Sequence, residues 1–213
     1  MNIDQNNSIY NSNDVKSFWD DYYRNKKLVF SNSDFSKLVK PYLKENSSII
    51  DIGCGDGRDS IYFAKNKLFT EGIDISKKAI EINKQYENKF LKFTVLDLKN
   101  INSFNKFYDF AYCRFLFHAI NEDIENDLLI WMSNNIKSSI FIETRILDKD
   151  ILNIKLDHYR RLFHEEDFIN KLKSFGFKII YSKSSKNFSR YKKEYNVSDL
   201  KHDPLLLRVV ISK

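Results

Sequence analysis

Gly53, Gly55 and Gly57 fall within five residues, in DIGCGDGRDS, in a chain with five glycines in all. Glycine costs backbone entropy wherever it is not required, so this concentration needs a cause. The cause read here is close approach: a ligand lies against the turn, near the amides that open the following helix. A tight turn alone requires one left-handed position, hence one glycine. A phosphate loop, G-x-x-x-x-G-K-[ST], is not matched. A dinucleotide fingerprint fails in both registers, because its third glycine would be Arg58 or Ser60. What is left is Asp51-x-Gly53-x-Gly55-x-Gly57, with Cys54 between glycines and no chemistry assigned to its thiol. A leading carboxylate repels a pyrophosphate but can help hold a cationic group. Asp74, in EGIDIS and followed by Ile75, can accept hydrogen bonds from both hydroxyls of an unphosphorylated ribose. Asp97, in VLDL, could face an adenine edge with the Leu98 amide beside it; the alternative is a solvated acid at a strand end.

A second set of residues is basic. Of 35 basic residues 27 are Lys and 8 are Arg, so each arginine carries more information than each lysine. Arg58 follows the glycine loop, Arg114 closes one apolar run and Arg145 another. His158, Tyr159, Arg160 and Arg161 cluster in an irregular stretch, and Arg208 lies in the last apolar run. Arginine prefers bidentate partners, which points to a carboxylate- or phosphate-bearing substrate. The alternative is that Arg114 and Arg145 pair with Asp51, Glu143 or Asp148 and brace the rim. His118, one helical turn beyond Arg114, could be a base, a hydrogen-bond donor to substrate, or a histidine packed beneath the crevice. His164 and His202 read as surface residues.

The elements that must position these groups alternate. SSIIDIG, FTEGIDI, KFTVLDL, FYDFAYCRF and SSIFIETR read as strands, and RDSIYFAKN, SKKAIEINKQYENK and NEDIENDLLIWMSNNI as helices. Ahead of them, DVKSFWDDYYRN puts Val15, Phe18, Trp19, Tyr22 and Tyr23 at helical spacing. A second helix runs from Ser33 or Asp34 to Leu43, bent or shortened by Pro41. A helix near Glu165–Ser174 leads to FKIIYS and LLLRVVIS. Strand and helix in alternation with short joints predict an α/β fold with a doubly wound parallel sheet, in which ligands sit beyond the carboxyl ends of the strands. Residues 1–13 read as a flexible start, 14–213 as one domain, and 147–165 as an insertion.

Composition narrows the classes further. With 213 residues and 42% hydrophobic content the chain can bury a substantial core. Two cysteines cannot build a disulfide scaffold, and no metal-type Cys/His spacing occurs, so no metal is expected. The start lacks an apolar or Arg-rich targeting pattern and no window could span a bilayer, which leads to the expectation of a cytoplasmic protein. The net charge of +6 (35 − 29) raises nucleic acid as a partner, but the basic residues are interleaved with acids rather than collected on one face.

The set SIIDIGCGDGRDS, EGIDIS and FTVLDL resembles the class I S-adenosylmethionine-dependent methyltransferases, over roughly residues 47–145. That resemblance implies a Rossmann-like seven-stranded sheet with an antiparallel last strand, with S-adenosylmethionine held by Asp51, Gly53, Cys54, Gly55, Gly57, Arg58, Asp74, Ile75, Asp97 and Leu98. It also implies that residues 14–45 cover the cofactor, with Tyr22 or Tyr23 at its methionine end. CRFLFHAI, FIETR, DHYRRL and HDPLLLRVV look like a bacterial subgroup that tailors surface polysaccharides and small phosphorylated or phosphoramidate groups. On that reading His118 and Arg114 serve catalysis, and Arg114, Arg145, His158, Tyr159, Arg161 and Arg208 contact a small anionic or sugar-linked acceptor, methylated at oxygen. The tetrapeptide of nucleobase amino-methylation, Asn/Asp-Pro-Pro-aromatic, is missing, as is a Pro-Cys nucleophile. Two other functions stay open: an RNA methyltransferase, which the charge favours, and a non-catalytic cofactor-binding partner of another protein.

Overall fold

The computed structural model describes residues 12–25, 31–148, 159–188 and 203–213. The first helix, α1 (Ser12–Asn25), carries the aromatic stripe, and α2 (Asp34–Val39) is capped by the Ser33 hydroxyl, which accepts from the Ser36 amide. Pro41 has no amide to continue α2, so the chain goes on as a 3-10 turn, Lys40–Tyr42, and the helix is shorter than its pattern suggests. Then β1 (Ser48–Ile52), α3 (Arg58–Lys65), β2 (Phe69–Asp74), α4 (Lys77–Asn83) and β3 (Leu91–Val95) alternate as expected. After β4 (Tyr108–Arg114) come α5 (Glu122–Asn135) and β5 (Ile136–Arg145), then α6 (Glu165–Ser174), β6 (Lys178–Ser185) and β7 (Leu206–Ser212). Polar caps start the helices where the hydrophobic period begins. Ser76 accepts from the Ala79 amide on α4, and Asn121 from the Ile124 amide on α5.

The seven strands form one sheet in the order β3-β2-β1-β4-β5-β7-β6. The strands from β3 to β5 are parallel, and β7 lies antiparallel to both neighbours. This is the Rossmann-like seven-stranded arrangement with a reversed last strand. Strand order reverses between β1 and β4, which opens a crevice above their carboxyl ends.

Alternation along the central strands sorts side chains onto two apolar layers. Ile50, Ile52, Ala111, Cys113 and Ile142 pack with Leu128, Met132 and Phe168 from α5 and α6. Ile49, Phe110, Tyr112 and Phe141 pack with Phe35 and Val39 from α2 and Phe63 from α3. Phe35, Phe63 and Tyr112 are fully buried, and their rings meet at 5.0–5.2 Å. Each such burial contributes about 1.5–3 kcal/mol, so this layer holds α2 and α3 rigidly against the strands that carry the crevice. Among the described residues no helix is long and apolar enough to cross a membrane.

Candidate active site

The loop after β1 is left-handed at all three glycines, with φ of 74° at Gly53, 54° at Gly55 and 70° at Gly57. It is tied to β2 twice over. The Gly53 and Cys54 amides donate to the Ile73 carbonyl at 2.8 and 3.0 Å, and Asp74 accepts from the Gly55 amide at 2.9 Å. The other Asp74 oxygen accepts from the Ser76 amide at 2.8 Å. One carboxylate therefore holds both the glycine loop and the entry to α4.

Not every glycine serves the crevice. A Cβ on Gly53 would meet Leu116 at 3.1 Å, and one on Gly55 would collide with the Tyr23 hydroxyl. Both face the cavity above the loop. Gly57 does not, contrary to the reading of three ligand-facing glycines. It opens α3, and a Cβ there would strike Asn83 and Phe93 at 2.9 Å, so its smallness serves helix packing instead.

Carboxylates gather on one wall. Asp51, Asp56, Asp74 and Asp97 all line the cavity. Burial pushes the Asp51 carboxyl up to about 8, against a lowering by the Ser60 hydroxyl, which donates to it at 2.5 Å. Burial likewise pushes Asp74 up to about 6, opposed by its two amide donors. Asp97 lies two residues beyond the end of β3 and caps a 3-10 turn by accepting from the Lys99 amide. Ile75 and Leu98 flank this wall, and Arg58, 6% exposed, lines the cavity from the first turn of α3. The wall suits a ligand that brings positive charge and hydroxyl donors.

Above it lies α1, whose Val15, Phe18, Trp19, Tyr22 and Tyr23 line the same cavity. The four rings contact one another at centroid separations of 5.1–6.4 Å. Asp20 on this helix accepts from the Ser76 hydroxyl at 2.7 Å and the Lys78 amide at 3.0 Å, fastening α1 to the start of α4. Spacing in the sequence showed the aromatic stripe but gave no sign of that acid's distant partner. The same holds for Asp59. It accepts from the Ser33 amide and hydroxyl and from the Tyr112 hydroxyl at 2.7–2.8 Å, and joins α2, α3 and β4 beside the cavity.

The arginines separate into two groups. Arg114, Arg145 and Arg160 line the cavity together with His118. Arg208 and Arg161, expected on the same rim, do not line it. Arg208 is buried, donates to Glu143 at 2.6 Å and is covered by the rings of Phe35 and Phe188. Arg161 pairs with buried Glu125 on α5, while its amide donates to the His118 carbonyl at 2.8 Å. Of two adjacent arginines, Arg160 thus lines the cavity and Arg161 is turned to Glu125. Tyr159 is half-buried and lies off the cavity lining, and His158 falls outside the described residues.

Glu143, wholly buried, accepts from Arg114 at 2.7 Å on one oxygen and from Arg208 on the other. Bracing of the rim through Glu143, the alternative weighed for Arg114, is thus present alongside its exposure to the cavity. His118 is 4% exposed, and its Nδ1 lies 3.2 Å from the Thr144 hydroxyl and 3.4 Å from the Arg145 amide. A ring nitrogen that accepts from an amide leaves the proton on Nε2. The whole cleft therefore has an acid-lined half over the glycine loop and an arginine-lined half beyond β4 and β5.

A family model described as a methyltransferase domain matches residues 23–182. No curated protein matches the sequence. Among solved structures, 1,6-didemethyltoxoflavin-N1-methyltransferase from Burkholderia thailandensis, with bound 1,6-didemethyltoxoflavin and S-adenosylhomocysteine, is 15% identical. That similarity covers 98% of this chain and 92% of the other, with a TM-score of 0.74. A SAM-dependent methyltransferase from Anabaena variabilis is 18% identical over 96% of each chain, with a TM-score of 0.71. The [4+2]-cyclase SpnF is 13% identical, covering 95% of this chain and 93% of its own, with a TM-score of 0.72. At these identities the likeness concerns the fold, which does not by itself fix a reaction.

Proposed function

Because the chain belongs to the methyltransferase-domain family, we propose that it moves a methyl group from S-adenosylmethionine to a small acceptor bearing a carboxylate or phosphate-like anion. The observation that carries this reading is Asp74, buried at the end of β2, tied to the Gly55 amide and turned to the cavity over the glycine loop. The chemistry of the donor set fits the cofactor. Asp74 would hold the ribose hydroxyls, Asp51 and Asp56 would face the cationic methionine end, and Asp97 with Leu98 would face the adenine. Gly53 and Gly55 allow the close approach, Cys54 and Ile75 contribute backbone and apolar contact, and Arg58 closes the loop's far side. Tyr23, Trp19 and their neighbours on α1 form the cover that excludes water, whereas α2, expected to share in it, packs against the sheet instead.

When bound, the cofactor supplies a methyl group already activated on a sulfonium, so the chain's work is alignment. Arg114, Arg145 and Arg160 would hold the acceptor's anionic group. An oxygen that is already ionised needs no base. His118, with its proton on Nε2, then acts as a donor that orients the acceptor. We read the acceptor as an oxygen of a sugar-linked or phosphorylated precursor of surface polysaccharide, which the resemblance of CRFLFHAI and FIETR to that subgroup supports.

The test is a calorimetric titration of S-adenosylmethionine and S-adenosylhomocysteine into wild-type protein and Asp74→Ala, with a methyl-transfer screen over small anionic metabolites. Loss of the Asp74 acceptor should cost about 1–3 kcal/mol of cofactor affinity. Equal affinity in the variant would remove Asp74 from the site, and NADH binding of comparable strength would revive a dehydrogenase reading. Methylation confined to neutral acceptors would overturn the anionic assignment.

A further inference from the structure

Phe115, the first residue past β4, has a φ of 60°. Among the described residues two other non-glycines share that left-handed conformation, Asn46 and Lys67, and both are exposed in turns. A bulky aromatic there is strained, and strain of this kind persists only where the surroundings over-determine it. Here the Phe115 amide donates to the Glu143 carbonyl at 2.8 Å, so the β4–β5 ladder holds for one residue beyond the strand. The chain then turns sharply, and consecutive side chains part company. Leu116 lies against Gly53 at the glycine loop. The Phe115 ring goes to the arginines, 4.2 Å from the Arg114 guanidinium and 5.6 Å from that of Arg145, with the His118 ring at 6.0 Å. The ring is half-buried, lines the cavity and belongs to neither apolar layer of the sheet, so the core does not require an aromatic at this position.

We propose that Phe115 is a positioning residue for the acceptor: its strained backbone holds one aromatic ring against both guanidiniums and sets the planes in which Arg114 and Arg145 meet a carboxylate or phosphate-like group. A guanidinium lying over a ring face keeps its planar fork in a fixed orientation, and Glu143 fixes the edge of the Arg114 fork. Bidentate recognition depends on that orientation, which a flexible apolar neighbour cannot impose. The inference rests on the anionic-acceptor reading above.

The experiment uses inorganic phosphate and benzoate as probes, titrated by NMR into the full chain saturated with S-adenosylhomocysteine. Phe115→Tyr keeps the ring face and should bind both anions within about threefold of wild type. Phe115→Leu and Phe115→Gly lose it and should bind them about tenfold more weakly, with S-adenosylhomocysteine affinity unchanged in all three. Phe115→Gly, which relieves the left-handed strain, should be at least as heat-stable as Phe115→Leu, so a loss of anion binding common to both is not a consequence of backbone strain. If Leu and Gly bind both anions like wild type while Arg145→Ala does not, the Phe115 inference falls and the anionic reading stands. If Arg145→Ala binds them like wild type, both fall. Equal losses of anion and S-adenosylhomocysteine binding would make the ring a support of the whole cleft and overturn the inference.

Discussion

Among the described residues no lysine lines the wall that Asp51 and Asp74 share, and burial raises both carboxyls, to about 8 and about 6. A carboxyl raised in the folded state keeps a proton that the unfolded chain has already released. Stability therefore falls as pH rises, from about 4, where a free carboxyl ionises, through those two values. A cationic ligand has the opposite preference, because it favours the ionised pair. The melting temperature of the ligand-free protein should fall between about pH 5 and about pH 8, while S-adenosylmethionine affinity rises over the same interval. S-adenosylhomocysteine lacks the sulfonium charge and should gain less. Calorimetry at both ends of that range measures it, and identical pH profiles for the two ligands would detach the acids from the sulfonium. Glu143 makes a second residue-scale test. Its carboxylate is shared by Arg114 and Arg208, the latter buried. Glu143→Gln leaves a buried guanidinium without its counter-charge and should cost about 3–5 kcal/mol in urea unfolding. A loss below about 1 kcal/mol would mean that the two arginines find other partners.

At the scale of elements, α1 is fastened by a polar latch. Asp20 bonds the Ser76 hydroxyl and the Lys78 amide, and Tyr23 lies against Gly55. Asp20→Ala should cost about 1 kcal/mol of stability, the scale of a lost helix cap, and weaken cofactor binding with it. Deleting residues 1–26 should reduce cofactor affinity and turnover yet leave a cooperatively unfolding sheet, read by far-UV circular dichroism. Normal methyl transfer by the truncated chain would reduce α1 to packing. The strands and helices were legible because their apolar periods are clean and their caps conventional. The glycine loop was legible because three glycines at one junction have few explanations. What could not be read was partnership across distance. Nothing near Asp59 announces Ser33 and Tyr112, and nothing in the pair Arg160-Arg161 says which one faces Glu125. Gly57 misled for a related reason: a glycine needed beneath Asn83 and Phe93 looks, in sequence, like one needed beneath a ligand. Phe115 left no trace at all, because aromatic residues are common at strand ends and φ is not written in residue type.

For the whole molecule, the net charge of +6 puts a nucleic-acid partner to the test. Several arginines are spent internally, Arg114 and Arg208 on Glu143, Arg161 on Glu125, and lysines such as Lys106 and Lys171 on Glu71 and Glu122. Titration with a short single-stranded RNA should therefore show weak binding with a shallow salt dependence. An RNA methyltransferase that neutralised several phosphates would instead lose affinity with a slope of about −0.7 per phosphate. A steep slope would revive that reading. The sheet's strand order bears on how such a chain comes to be made. β7 is buried almost throughout and joins β5 on one side to β6 on the other, and β6 reaches the sheet only by pairing with it. A growing chain that has reached Ser185 thus carries β6 with nowhere to dock and β5 with an open edge, two hydrogen-bonding surfaces that attract other nascent chains. The half of the sheet that holds the glycine loop can form as it is synthesised. β6 must wait for residues 206–212, and so must the Arg208 side of the Glu143 brace, so a chaperone would find its main work in that interval.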